Sequence, residues 1–126
     1  QLEFALRQSE QQFRGIFEAE PECVKIMSAD GFLQTINAAG LAIIEADSLE
    51  AVQGQYVYPM LDPVYRQAYD DFNHTVSQGN TAEIEYEITG LKGARRWLES
   101  RAVPLYVPDR ADALVLSVTR DITDRK

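Results

Sequence analysis

Residues 95–105 read RRWLESRAVPL, and this stretch decides the fold. Polar and apolar side chains alternate along it, which predicts a long strand with one buried face. Before it, residues 82–88 read AEIEYEI, the cleanest alternation in the chain, and Gly90 and Gly93 lie between the two runs. Two such runs around a glycine-containing turn predict a β-hairpin. A third, almost wholly apolar run at 113–118 is typical of a central strand. The last third of the chain is therefore predicted to be a three-stranded antiparallel meander.

The composition limits the classes of function. With 126 residues, 45% of them hydrophobic, and a formal net charge of −8, the chain suits one globular domain with one core. The negative charge argues against nucleic acid and against direct membrane contact, because both partners need a basic surface. No apolar run approaches the about 20 residues of a membrane span, and we expect a cytoplasmic location. The chain opens inside a helical pattern and closes inside another motif, so we expect it to be part of a longer protein.

An amphipathic helix is predicted over residues 1–20. Leu2, Leu6, Phe13 and Phe17 fall near helical spacing, with charged and amide residues between them. This apolar stripe either lies on the sheet or pairs with a second copy of itself.

Two more strands and two helices are predicted before the meander. The strands lie at 23–28 and 32–37, and Asn37 is placed to cap a helix at 38–46. A longer helix begins with a proline at position 63 and ends near 78. Together these elements predict an α+β fold, a five-stranded antiparallel sheet with helices over one face.

In this order and spacing, the motifs resemble those of a PAS domain, and the resemblance covers nearly the whole chain. They are residues 9–18 (SEQQFRGIFE), 30–31 (DG), 37–39 (NAA), Gly54, 62–66 (DPVYR), Gly93, 96–99 (RWLE), 104–105 (PL) and the closing 120–126 (RDITDRK). The closing motif is similar to the Asp-Ile-Thr signature that leads into an output helix. One departure concerns the end of the first capped helix, where the family often has glycine and this chain has Glu45.

The resemblance implies a non-catalytic sensory or dimerisation module of a bacterial-type signalling protein. The output domain, in the same chain, would be a histidine kinase of a two-component system, a diguanylate cyclase or phosphodiesterase, or a chemoreceptor. Residues 1–20 would form an approach helix that dimerises through its stripe, 21–122 the PAS core, and 123–126 the start of the output helix. The implied partner is therefore a second copy of the chain.

The residues name no cofactor. Flavin and haem, two cofactors that the family uses, are disfavoured. A flavin photosensor needs cysteine in an Asn-Cys-Arg-Phe context, whereas Cys23 precedes Val24 on a strand; a coumarate-type photoreceptor also needs an embedded cysteine. A haem sensor needs a histidine that faces the cup, but His74 lies about 200° round the helix from Phe72. One cysteine and one histidine also argue against a metal cluster. An unidentified small molecule remains open.

A pocket is predicted between the helices and the inner face of the sheet. Its candidate lining residues are Ile26, Ile36, Ile43, Tyr58, Tyr69, Phe72, Ile84, Tyr86, Leu98, Ser100, Leu116 and Val118. A packed core without ligand is the simpler alternative, because every core needs apolar inward faces. Buried hydroxyl groups, in contrast, need partners that a ligand could supply.

Signal relay is assigned to the end of the sheet. Trp97 and Arg101 share the strand face opposite Leu98, so the N-terminal helix or a partner subunit should cover Trp97. We predict that Asp121 pairs with Arg101 or Arg96 and that Asp121, Ile122 and Thr123 pass a change in the cup to the output helix.

A small isomerase or dehydratase is an alternative of another class. It would use Asp70, Asp71 or His74 as a base, but the helical pattern places these residues in solvent, where a general base is not poised. A third alternative is a ligand-free dimerisation module, which differs from a sensor only in having nothing to bind.

Overall fold

Eight helices and strands follow one another in residues 2–126, the part of the chain that the computed structural model describes. Gln1, where the first predicted helix begins, lies outside it. The elements are α1 Leu2–Ala19, β1 Cys23–Met27, β2 Leu33–Ile36, α2 Ala38–Ile44, α3 Arg66–Ser77, β3 Ala82–Thr89, β4 Arg95–Leu105 and β5 Leu114–Asp121. Short 3-10 turns lie at Tyr58–Met60, Pro63–Tyr65 and Thr123–Arg125. None of the described helices is long and apolar enough to cross a bilayer.

The five strands form one antiparallel sheet in the order β2-β1-β5-β4-β3. The predicted meander and the α+β class are confirmed. The two N-terminal strands join the sheet because β1 pairs with β5, which places the last strand at its centre. β1 and β4 therefore satisfy the backbone groups of β5 at both of its edges.

The strand register defines an inner face, which α3 covers. Tyr86 lies opposite Leu98, and Ser100 lies opposite Thr119; all four side chains are buried. From α3, the ring of Tyr69 packs edge-on against that of Tyr86, with 4.9 Å between the centroids. The core therefore lies between this face and the helices.

Three predicted pocket residues lie on the outer face instead, so their assignment to the cup is wrong. Ile26 pairs with Leu116, and Val118, two residues further along β5, is 40% exposed. The inward side chains on these strands include Lys25 and its register partner Ser117. In β5 the more apolar parity, with Leu116 and Val118, faces outward, and Ser117 and Thr119 face inward, so alternation indicated the wrong face.

Asn37 caps α2 as predicted and also joins three other segments. Its Oδ1 accepts hydrogen bonds from the backbone N–H groups of Gly40 and Val24, at 3.0 and 2.9 Å. Its Nδ2 donates to the carbonyls of Phe17 and Glu22, at 3.0 and 2.9 Å. Because its side chain is fully buried, these bonds fix the end of α1 to the start of β1 and α2.

Glu45 ends α2 where the PAS pattern often has glycine. Its φ of +62° lies in the left-handed region that favours glycine. The carboxylate Oε1 accepts hydrogen bonds from the backbone N–H groups of Lys92 and Ala94, at 3.2 and 2.9 Å. The side chain thus fastens α2 to the β3–β4 turn, which glycine could not do.

The N-terminal helix leaves the outer face of the sheet uncovered. Side chains 2–16 of α1 are exposed, and Phe17 is only partly buried. Phe13 stacks on Phe17 with 5.7 Å between ring centroids, and both line a groove shared with Thr35 and Ile36. The helix therefore contacts the β2 edge and not the rear of the sheet.

Trp97 is covered from two other directions. The ring of Tyr65 meets it edge-on with 5.9 Å between centroids, and Lys126 Nζ lies 4.9 Å from its centroid. Of the two predicted covers, α1 is thus excluded within this chain.

Candidate functional site: the inner cup and the exit of the last strand

A small cavity of about 30 Å³ lies between the sheet and the helices, and Lys25 is its one charged lining residue. Its other lining residues are Ile44, Val57, Met60, Leu61, Tyr69, Tyr86, Ile88 and Leu98. Lys25 Nζ lies 5.5 Å from the ring centroid of Tyr69 and 6.0 Å from that of Tyr86, which places the ammonium over aromatic faces that attract it.

The electrostatics of Lys25 depend on these phenols. Burial disfavours the charged amine, whereas phenolates at Tyr69 and Tyr86 would favour it and raise the pKa of Lys25 above its usual value. Burial also raises the pKa of the Tyr69 hydroxyl, so this phenol keeps its proton at neutral pH. Near neutrality, the attraction of the aromatic rings and the hydrogen bond with the Tyr69 hydroxyl then oppose the desolvation of Lys25.

A chain of neutral hydroxyl groups crosses the inner face beside the cavity. The oxygens of Tyr86 and Ser100 lie 2.7 Å apart, and those of Ser100 and Thr119 also lie 2.7 Å apart. Ser100 and Thr119 are almost completely buried, so each hydroxyl satisfies its neighbour. Three other buried polar atoms, Asn73 Oδ1, Arg96 Nε and Ser117 Oγ, have no partner within residues 2–126.

A second polar cluster connects α3 to the loop before it. Tyr58 donates a hydrogen bond to Asp70 Oδ1 at 2.8 Å and accepts one from Asn73 Nδ2 at 3.1 Å. Burial raises the pKa of Tyr58, as does its bond to Asp70. His74 Nε2 lies 3.5 Å from Asp70 Oδ1 with half of its side chain exposed. Asp71, the third candidate base, is exposed and accepts a hydrogen bond from Gln67, so these three groups do not converge in the cup.

Apart from Ile26, Leu116 and Val118 on the outer face, the predicted pocket residues occupy three kinds of position. Tyr69, Tyr86 and Leu98 line the cavity. Buried elsewhere in the core are Ile36, Tyr58, Phe72 and Ser100, while Ile43 and Ile84 are partly buried against it. From α2 it is Ile44, the neighbour of Ile43, that reaches the cavity.

The exit of β5 is fastened to β4 at Trp97. The backbone N–H of Ile122 donates to the carbonyl of Trp97 at 2.9 Å, and the N–H of Trp97 donates to Thr123 Oγ1 at 3.0 Å. Asp121 Oδ1 in turn accepts from both the N–H and the hydroxyl of Thr123. We name these four residues, Trp97, Asp121, Ile122 and Thr123, the exit clamp.

Arg96 is the basic partner of Asp121, and Arg101 is not. Arg96 Nη1 lies 2.9 Å from Asp121 Oδ2, whereas Arg101 Nε lies 2.7 Å from Glu83 on an exposed surface. The inclusion of Arg101 in the relay is therefore a wrong prediction, because its position on β4 directs it to β3. Partial burial opposes the charge of Asp121, but the bonds from Thr123 and Arg96 outweigh it and lower the pKa of this carboxyl.

Sequence reasoning missed Lys25 and the loop residues of the cavity. Val57, Met60 and Leu61 belong to an irregular segment with no periodicity to read. One signal was available for Lys25: apolar residues flank it on both sides in CVKIM. Among residues 2–126, no group of three histidine, cysteine or acidic residues is arranged to hold a metal ion.

Comparison with known proteins gives the fold directly. A family model described as PAS fold matches residues 17–126. The chain is similar to the PAS domain of an HTR-like protein from Haloarcula marismortui (TM-score 0.80, 18% identity, covering 95% of this chain and 97% of that one). It is also similar to a PAS domain from Colwellia psychrerythraea (TM-score 0.78, 22% identity, coverage 91% and 98%).

A third similar structure comes from a sensor protein. It is a domain of a sensory box sensor histidine kinase/response regulator from Geobacter sulfurreducens (TM-score 0.72, 19% identity, coverage 92% and 96%). No curated protein matches this chain in sequence. Since the family model spans most of the chain and the sheet order, capped helix and closing motif agree with it, the chain belongs to the PAS fold family.

Proposed function

We propose that this domain is a sensory PAS module of a signalling protein that passes a change in its cup to an output helix after Thr123. The observation that carries the proposal is the double role of two adjacent residues of β4. Leu98 lines the cavity, and both backbone groups of Trp97 hold the exit clamp. A displacement of Leu98 moves the peptide that it shares with Trp97, and so moves the exit segment.

The ion pair between Arg96 and Asp121 supports the same role. Asp121 lies opposite Leu98 in register, and its carboxylate binds both Arg96 and Thr123. One side chain thus couples the start of β4 to the first turn beyond β5, and a shift of this turn would move the output helix.

The relay is tested with Asp121→Asn in the intact signalling protein. Asparagine keeps the size of the side chain but loses the charge that binds Arg96, so we expect the ratio of stimulated to basal output to fall. Asp124→Asn is the matched control, because Asp124 is exposed and lies outside the clamp. An unchanged ratio, with the melting temperature also unchanged, would count against the relay.

A homodimer through α1 is part of the proposal. The helix has 18 residues, about 27 Å in length, and exposes Leu2, Leu6 and Phe13 by 59–89%. Most of the stability of helices in proteins comes from packing of an amphipathic face, so a second copy that buries the stripe of α1 would stabilise it. Sedimentation of Leu6→Glu should show a weaker dimer than the wild type. Gln8→Glu, on the other side of the helix, should not, and equal effects would contradict the interface.

A ligand-free dimerisation module is the second candidate, and the small size of the cavity favours it. About 30 Å³ holds about two or three water-sized groups, far less than a large cofactor needs. Native mass spectrometry of the domain purified from its host distinguishes the two candidates. A bound small molecule supports the sensor. A dimer whose mass equals that of two chains without a ligand supports the dimerisation module.

A further inference from the structure

The three lysines of the chain differ in what neutralises them. Lys92 Nζ lies 2.7 Å from Asp47, and Lys126 Nζ lies 3.0 Å from Glu85, both on exposed surfaces. Lys25 is the inward-facing one, and no carboxylate of residues 2–126 lies within 4.0 Å of its amine. The lysine that most needs a counter-ion is thus the one that lacks it in the described chain.

An ammonium group in this position is costly without an anion. Removing a charge from water is strongly unfavourable unless the charge is paired. The rings of Tyr69 and Tyr86, 5.5 and 6.0 Å away, recover only part of that cost. The Tyr69 hydroxyl is a neutral hydrogen-bond partner of the ammonium, and the remaining walls of the cavity are aliphatic or thioether side chains that offer no negative charge.

A second unused donor lies beside Lys25. Ser117, its register partner on β5, is buried, and its hydroxyl has no partner within residues 2–126. Lys25, which lines the cavity without a carboxylate partner, thus has an unpaired hydroxyl group on the adjacent strand, and an anion is a ligand that both an ammonium and a hydroxyl group can bind.

We propose that the cavity at Lys25 binds a small monocarboxylate of the size of formate or acetate, whose carboxylate pairs with the Lys25 ammonium. This deepens the proposed sensory function by naming the ligand class of the cup. A cavity of about 30 Å³ limits the ligand to a few heavy atoms. The single cation and the apolar walls disfavour a dicarboxylate, whose second charge would be buried unpaired.

Thermal unfolding at constant ionic strength tests the proposal. Sodium formate and sodium acetate should raise the melting temperature along a saturable curve, because a ligand that binds the native state stabilises it. Sodium chloride, sodium butyrate and disodium succinate should not. Lys25→Met should bind acetate at least tenfold more weakly, while Lys92→Met, the matched control, should bind like the wild type. Equal responses to acetate and chloride, or equal acetate binding by both variants, would overturn the proposal.

A measurement on the unaltered chain covers the case in which Lys25→Met does not fold. Selective ¹⁵N labelling gives three side-chain signals, from Lys25, Lys92 and Lys126. Acetate should shift the Lys25 signal alone and saturably. No shift, or equal shifts of all three, would overturn the carboxylate site. The relay through Asp121 would still stand on its own test, since Asp121→Asn is assayed without added acetate.

Discussion

The polar side chains on the two faces of the sheet differ in charge and in burial. On the inner face, Ser100 and Thr119 are neutral, buried and bonded to each other at 2.7 Å. On the outer face, Glu99 lies 2.8 Å from Arg120 and Arg101 lies 2.7 Å from Glu83, all at least partly exposed. A buried polar group needs a fixed partner, whereas an exposed ion pair competes with water and salt. The same strand, β4, supplies both kinds of residue.

Apolar side chains show the same contrast. Leu98 is 2% exposed on the inner face of β4, and Val103 is 44% exposed on its outer face. Replacement of each by alanine is the strongest test of the difference. Leu98→Ala should lower the free energy of unfolding by about 2–5 kcal/mol, because it removes buried methyl groups and leaves a void. Val103→Ala should cost under about 1 kcal/mol, since half of this side chain is already in water. Urea unfolding of both variants measures the two losses, and similar values would refute the division of the sheet into faces.

Disruption of the hydroxyl chain of Tyr86, Ser100 and Thr119 should cause the next largest loss of stability. Ser100→Ala removes the shared partner of Tyr86 and Thr119, and leaving buried hydroxyl groups unpaired should cost about 1–3 kcal/mol. Adding Tyr86→Phe removes one of the orphaned groups, so the double variant should lose less than the sum of the single losses. Additive losses in a double-mutant cycle would mean that the two hydroxyls act independently.

Acid should weaken the exit clamp. The pKa of Asp121 is lower in the folded protein than its usual value near 4. Its stabilisation is therefore present above about pH 4 and is lost as the pH falls through the folded pKa. Because this carboxylate is mostly solvated, we expect a contribution under about 1 kcal/mol. Asp121→Asn should remove that part of the pH dependence in urea unfolding from pH 7 to pH 3, and Asp124→Asn should leave it unchanged. Identical profiles for Asp121→Asn and the wild type would contradict the assignment.

Loss of the exposed ion pair between Arg101 and Glu83 should have the smallest effect on stability. Arg101 and Glu83 are both more than 60% exposed, so Arg101→Ala should change the free energy of unfolding by under about 0.5 kcal/mol. The change should vanish in 1 M salt, which screens exposed charges. Arg96→Ala, at the partly buried partner of Asp121, is the comparison, and it should cost more. A larger loss for Arg101→Ala than for Arg96→Ala would reverse the ranking of the two pairs.

Local pattern predicted most of the fold. The alternation in 82–88 and 95–105, the glycine turn between them and the Asn37 cap gave the meander and α2. These features are encoded within a few residues of one another, where backbone geometry and side-chain spacing act directly. Tyr69, Tyr86 and Leu98, three of the candidate lining residues, belong to such regular elements and line the cavity.

Tertiary contacts decided which face of the sheet each side chain occupies and which residue it pairs with. Val118 and Leu116 lie outside although they form the more apolar side of β5. Strand pairing places Ser117 and Thr119 on the inner face with Lys25 and Ser100. Arg96, not Arg101, reaches Asp121 for the same reason.

The sequence alone therefore determined the elements, their order and the family, since each depends on short-range spacing. Only the tertiary structure decided that Lys25 faces inward over Tyr69 and Tyr86, and that Trp97 binds the exit of β5. Both results depend on residues distant in the chain, whose positions follow from strand pairing rather than from any local pattern.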